Sequence, residues 1–242
     1  MQRIHLLGIP IDALTEDEAV ARLLSFVEEP KQHHVMTPNS EMLVEASKNT
    51  VFREVLQESS LNVPDSAGQL VMAQWTGQHL PERVTGIDTM ESVCAVLPPD
   101  HPIFLLGAQP GVAERVSLLL KVRNPSLRIA GTYSGSPREE DAPSIIARIH
   151  AAAPRILFVA YGAPAQDVWI ARHLKDLPSV RIAMGVGGAF DFIAGTQRRA
   201  PLFLQRLSLE WLWRLLREPR RWKRIWNAVV VFPILVLRRG RM

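Results

Sequence analysis

Ile156-Leu-Phe-Val-Ala160 runs directly into Tyr161-Gly-Ala-Pro-Ala-Gln166, and a helical pattern then continues to residue 176. A short, wholly apolar run closed by a glycine-bearing turn and a helix is the repeating unit of a parallel sheet, because a strand covered on both faces has no polar side. The unit recurs in both directions along the chain. Apolar runs at His33–Thr37, Leu61–Pro64, Ile103–Leu106, Arg128–Ala130 and Val180–Met184 alternate with helical spacing at 40–57, 68–75, 88–97, 110–121 and 141–152. Thr15-Glu-Asp-Glu18 opens a further helix as a capping box, in which hydroxyl and carboxylate satisfy each other's free amides. Alternation of this kind predicts an α/β body, a mostly parallel sheet flanked by helices.

The 242 residues are 47% hydrophobic and 21% charged, which excludes general disorder. A single cysteine, Cys94, excludes an intramolecular disulfide framework and any multi-cysteine metal site, so a reducing compartment is expected. Asp12, Glu16, Asp17 and Glu18 near the start, with no apolar core segment, do not read as a signal peptide. Charge is unevenly placed. Residues 198–242 hold 12 Lys/Arg against 2 Asp/Glu, a local charge of +10, whereas the preceding residues sum to −6. The expected division is an α/β body over 1–195 and a basic appendage over 196–242, which needs an anionic partner.

The polar and glycine residues gather where the strands should end: Thr37-Pro-Asn39, Asp65-Ser-Ala-Gly68, Gly107-Ala-Gln109-Pro-Gly111, Gly131-Thr-Tyr133-Ser-Gly135, Tyr161-Gly162-Ala-Pro164-Ala-Gln166, and Gly185-Val-Gly187-Gly188 with Asp191. In an open parallel sheet these ends share one edge, where ligands bind and where glycine amides and helix N-termini attract phosphate. Six such junctions point to a sizeable, partly anionic ligand; the plainer reading is that each only makes a turn. Neither G-x-G-x-x-G nor the Walker spacing occurs.

Asp65, held behind Pro64, is placed to accept a proton from an attacking hydroxyl, or else caps the helix that follows. Arg83 in Glu82-Arg-Val-Thr-Gly86 suits a diphosphate, or else pairs with Glu82. No Asp-x-Asp pair occurs, Glu139-Glu-Asp141 reads as a solvated helix start, and the seven histidines lack ligand spacing. No metal site and no cofactor are expected, and arginines would replace a cation beside a diphosphate.

In the appendage Trp211, Trp213, Trp222 and Trp226 are interleaved with arginines, and the apolar run Ala228–Leu237 follows, closed by Arg238-Arg-Gly-Arg241. Ten apolar residues with Pro233 among them are too few to span a bilayer, which takes roughly 20. An interfacial helix fits, with tryptophan at the headgroups and arginine on anionic lipid. Nucleic acid is the competing anion, but it has no use for residues 229–237. The remaining alternative makes 228–237 one more core element.

These pieces, taken in order, resemble the WecG/TagA/CpsF family of bacterial glycosyltransferases. The matching motifs are Thr37-Pro-Asn39, Val63-Pro-Asp65, Glu82-Arg-Val-Thr-Gly86, Leu105-Leu-Gly-Ala-Gln-Pro-Gly111, Tyr161-Gly-Ala-Pro-Ala-Gln166, Gly185-Val-Gly-Gly-Ala-Phe-Asp191, Arg199-Ala-Pro201 and Leu209-Glu-Trp211 with Arg214-Leu-Leu-Arg-Glu-Pro-Arg220. The chain departs from the family at Asp65-Ser66, commonly Asp-Gly, and at Pro164-Ala-Gln-Asp167, usually Pro-Lys-Gln-Glu. The second departure leaves Gln166 as the residue to carry over.

The resemblance implies a Rossmann-like core of the GT-E type with a C-terminal appendage that reaches the cytoplasmic face of the plasma membrane. It implies an inverting enzyme that moves a hexose (glucose, N-acetylmannosamine or its uronic acid) from a UDP-sugar donor to a polyprenyl-diphosphate-linked sugar. By the same resemblance Asp65 is the general base, Thr37 and Asn39 stand beside it, and Arg83 lies near the diphosphate. Gln166, Asp191 and the junction residues, among them Gly107, Gln109, Tyr133, Gly135, Gly162, Pro164 and Gly187, line the donor pocket. Arg214, Arg221 and Arg224 close over it. A homo-oligomer stays open, and the competing reading from another class is a non-catalytic, membrane-associated nucleotide- or polyanion-binding module.

Overall fold

The computed structural model describes residues 2–201, 203–204 and 209–239. An antiparallel hairpin, β1 (Arg3–Leu6) and β2 (Ile9–Asp12), precedes helix α1 (Glu16–Glu28). The remaining strands are β3 (His33–Met36), β4 (Leu61–Asn62), β5 (Ile103–Gly107), β6 (Ile129–Tyr133), β7 (Ile156–Ala160) and β8 (Ile182–Gly185). They form one six-stranded sheet, ordered β4-β3-β8-β7-β5-β6, in which every pairing is parallel. This is the expected α/β architecture. All six carboxyl ends therefore lie on one edge.

Helices α2 (Ser40–Ala46), α3 (Thr50–Glu58), α4 (Ala67–Trp75), α5 (Gly86–Val96), α6 (Val112–Arg123), α7 (Ala142–Ala152), α8 (Ala165–His173) and α9 (Ala189–Ile193) complete the body. The central strands β5, β7 and β8 are apolar throughout because both faces are covered. Ile156 and Phe158 face a core shared with α1, α5 and α6, while Leu157 and Val159 face the one shared with α7 and α8. The expected capping box forms: the Thr15 hydroxyl accepts from the Glu18 amide and the Glu18 carboxylate from the Thr15 amide.

Two differences have local causes. The helical stretch 40–57 is two helices, because Asn49 accepts from the Phe52 amide and starts α3 afresh. The N-terminal hairpin turns through Leu7 and Gly8, both at positive φ (55° and 76°). Leucine is not a residue that announces such a turn, so these strands carry no sequence signal. Asp12 at the end of β2 is fully buried, held by Arg3 Nε at 2.6 Å and accepting the Asn62 amide at 2.8 Å.

The appendage folds as helices α10 (Glu210–Arg217), α11 (Trp222–Trp226) and α12 (Phe232–Arg239), the last two joined by a π-helical turn at Asn227–Val231. The apolar run divides. Phe232 and Val236, one helical turn apart, are fully buried in a core with Leu43, Met72 and Ala73 of the body, while Ile234 and Leu237 are exposed. The core reading thus holds for two of its residues and the surface reading for others. No helix among the described residues is long and apolar enough to cross a membrane.

Because Phe232 joins appendage to body, Phe232→Ala should lower unfolding free energy by about 3–5 kcal/mol. Ile234→Ala, at an exposed position on the same helix, should stay within about 0.5 kcal/mol of the parent in the same denaturant titration.

Candidate active site

Three helix N-termini meet at the carboxyl end of β3 and β4. Asn39 caps α2, its Oδ1 accepting from the Met42 amide at 3.0 Å. Ser66 begins α4, and its hydroxyl lies 2.8 Å from that of Ser40. Thr85 caps α5 by accepting from the Asp88 amide. Gly68 allows this convergence: a Cβ there would lie 2.7 Å from Ser40 Oγ and within 3.9 Å of the Ala228 carbonyl of the appendage. The positive ends of three helix dipoles make the corner electropositive and fit for phosphate.

Asp65 projects into a cavity of about 420 Å³ at this corner. It does not cap α4: Ser66 holds that position, and the Asp65 carboxylate instead accepts weakly from the Gly86 amide at 3.5 Å. Removal from water pushes its pKa up to about 7, against the opposing charges of Arg83 and Arg214. Thr37 is buried next to it, its side chain against Gly86.

Arg83 lines the same cavity, and its partner is not Glu82, whose carboxylate accepts the Glu16 amide. Arg83 Nη1 donates to Glu210 Oε2 of the appendage at 2.5 Å. The other oxygen of Glu210 lies 3.6 Å from Arg199 Nε, and Arg199 clasps Asp88 through two bonds of 2.6 and 2.9 Å. Arg224 reaches Glu41 of α2 at 2.6 Å, and Arg221 is held by Glu218 at 2.5 Å. The cavity wall therefore includes Arg214, Arg221 and Arg224 from the appendage, opposite Asn39, Asp65 and Arg83 from the body. A second cavity of about 290 Å³, lined by Phe192, Trp213 and Arg217, shares Arg199, Glu210 and Arg214 with the first.

The other residues singled out in the sequence lie further along the sheet edge. Gln166 is buried at the start of α8, and its Oε1 accepts from the amides of Gly162 (3.0 Å) and Gly187 (2.9 Å), tying the turns after β7 and β8 together. Gly185 must be glycine for this, since a Cβ would meet Gln166 Nε2 at 2.6 Å and Asp167 Oδ1 at 2.4 Å. Pro164 follows a cis peptide and begins the same helix. Gly107 closes β5 and Gln109 is exposed beyond it. Tyr133 ends β6 and Gly135 follows it, at the opposite edge of the sheet from β4 and so roughly 24 Å from Asp65 at about 4.8 Å per strand. Tyr133 there packs under Arg148. Asp191 accepts from the Thr196 hydroxyl at 3.1 Å and shapes the turn toward the appendage; it lines neither cavity.

Glu210, Arg199 and Glu41 carried no assigned role in the sequence reading. A signal existed for the first: Glu210 and Glu218 are the only acids among the 12 basic residues of 198–242, and each holds an arginine.

A carboxyl whose folded pKa is raised contributes stability at low pH that is lost as pH rises through about 7. Asp65→Asn should therefore melt several degrees above the parent at pH 8, and the gap should shrink steadily as pH falls through 7 and close only near pH 4, the ordinary carboxyl value. Equal melting temperatures at both pH values would show that Asp65 ionises as it does in water.

The sequence matches the glycosyl transferase WecG/TagA/CpsF family over residues 4–242, nearly the whole chain. It is 31% identical over 214 residues to the N-acetylglucosaminyldiphosphoundecaprenol N-acetyl-beta-D-mannosaminyltransferase of Bacillus subtilis (strain 168), covering 85% of this chain and 82% of that one. To the protein of the same name from Staphylococcus aureus (strain MRSA252) it is 29% identical, over 92% of this chain and 87% of the other. A cavity walled by body and appendage, with a carboxylate facing arginines, thus sits in a chain that belongs to the WecG/TagA/CpsF family and is a glycosyltransferase.

Proposed function

We propose that the enzyme transfers N-acetylmannosamine from its UDP-linked form to an N-acetylglucosamine carried on a polyprenyl diphosphate, working peripherally on the cytoplasmic face of a bacterial membrane. The activity for which its relatives are named supports the sugar and the acceptor. The observation that carries the chemistry is the facing of Asp65 by Arg83, Arg214, Arg221 and Arg224 across one cavity.

In the proposed step the acceptor hydroxyl oxygen attacks the anomeric carbon of the donor sugar. Its proton passes to Asp65, the new C–O bond forms, and the bond from the anomeric carbon to the β-phosphate oxygen breaks. UDP leaves with that electron pair, and the configuration inverts. A base with a pKa of about 7 is matched to neutral pH, since it is ionised there yet still holds a proton well. Such help is worth about 10²–10⁴ in rate. The departing diphosphate gains one negative charge on its β-phosphate beside the guanidinium groups, whose planar forks bind phosphate oxygens in pairs and replace a divalent cation. Arg83 and Arg224 are already ion-paired, so the anion takes up donors that carboxylates of the protein now occupy.

The appendage supports the membrane reading. Leu216, Trp222, Trp226 and Leu237 are exposed among arginines, a composition that belongs at a lipid headgroup layer.

Asp65→Asn should lower kcat at least tenfold while UDP-sugar binding, followed by calorimetry, stays within about threefold. In the parent enzyme kcat/KM should rise tenfold per pH unit up to about pH 7 and then level. Near-parental turnover in the variant removes Asp65 from the base role. A chelator in the same assay should leave the rate unchanged, and its abolition by chelator would assign the diphosphate to a metal ion.

A further inference from the structure

The membrane-facing surface is not confined to the appendage. Helix α4 of the body buries Gln69, Met72 and Ala73 but leaves Val71 52% and Trp75 71% exposed. Positions 68, 71 and 75 follow one another at helical spacing, so they form a single stripe. The stripe begins at Gly68, against the Ala228 carbonyl, and Val71 lines the same cavity as Val229 and Pro233. Helix α12 packs against α4 and α2 and exposes Ile234 and Leu237, while Val229 is exposed just before it. The outward apolar row of α4 therefore adjoins that of the appendage, although some 150 residues separate them in sequence.

We propose that α4 and the appendage together form one face that seats on an anionic phospholipid leaflet, with Trp75 at headgroup depth. This rests on the peripheral-membrane reading above and extends it to the catalytic body. Charge selects the occupant. Arg220, Lys223 and Arg238 are exposed on the same appendage, so a second copy of the chain would set like charges against one another, whereas an anionic leaflet complements them. Tryptophan is the side chain that prefers the boundary between headgroup and acyl chain. Two contact rows on separate elements fix an orientation as well as an attachment. Val71 stands both on this face and on the cavity wall, so the mouth of the Asp65 cavity opens at the leaflet surface. A lipid-linked diphosphate then enters sideways while its hydrocarbon stays in the bilayer.

Cys94 is buried, so Trp75→Cys gives the full chain one labelling site. With an environment-sensitive dye at that position, phosphatidylglycerol vesicles should shift the emission to the blue. The same dye at Val122→Cys should not respond; that position is exposed on α6, which packs on β5 and β6 at the far half of the sheet. Trp75→Ala should weaken affinity for these vesicles roughly three- to tenfold, the worth of a few tens of Å² of indole withdrawn from water. Transfer to a short-chain, water-soluble acceptor by Trp75→Ala should be unchanged. That control shows that the variant is folded and separates the surface from the chemistry. An unmoved label at 75 on vesicles that bind the chain overturns the proposal, since the appendage then seats alone. So does a label that shifts with protein concentration without lipid, or a chain that binds no vesicles.

Discussion

The arrangement depends on one chain of charges: Arg83 on Glu210, Glu210 beside Arg199, and Arg199 on Asp88. Its members come from a body loop, the appendage, the connecting segment and helix α5. Each of these side chains is 21–30% exposed, midway between the surface pairs that contribute almost nothing and the buried pairs whose breaking costs several kcal/mol. What the chain secures is position. Glu210 brings α10 over the carboxyl end of β3 and β4, and with it Arg214, which stands over the Phe192 ring and in the field of Asp65. Glu41 and Arg224 repeat the tie one helix further on. The cations that face the Asp65 carboxylate are thus delivered by a segment that the body must hold in place.

This explains why the appendage cannot be regarded as a loose basic tail. Phe232 and Val236 fill the core beside α2 and α4, Gly68 lets the π-helical turn approach, and the remaining apolar side chains turn outward. One helix therefore meets three surroundings: body core, cavity and solvent. The Asp65 cavity is walled by the same element that carries the outward apolar row, so the proposed attachment to lipid and the completion of the cavity are joined in one piece of structure.

Much of this was legible in the sequence. Buried parallel strands announce themselves as apolar runs, and glycine-bearing turns mark their carboxyl ends, so the sheet and its ligand edge followed. Asp65, Arg83, Asn39 and the three appendage arginines do share one cavity. Tyr133 and Gly135 do not join them, because local motifs carry no strand order, and β6 lies at the far edge. Glu210 was passed over because an acid in a basic stretch reads as a surface residue until its partner, over a hundred positions away, is known. The run at 228–237 was ambiguous for a simpler reason. An uninterrupted apolar helix has no polar phase, so nothing in it tells the core side from the outer one.

The assembly of the site turns on whether Glu210 acts through the arginines that it holds. The direct measurement is a double-mutant cycle on kcat/KM with Arg83→Gln, Glu210→Gln and the pair together. If Glu210 serves to place Arg83, the double variant is within about twofold of the worse single variant. Two losses that multiply in full would show that the residues act independently, and would contradict the view that this ion pair assembles the site.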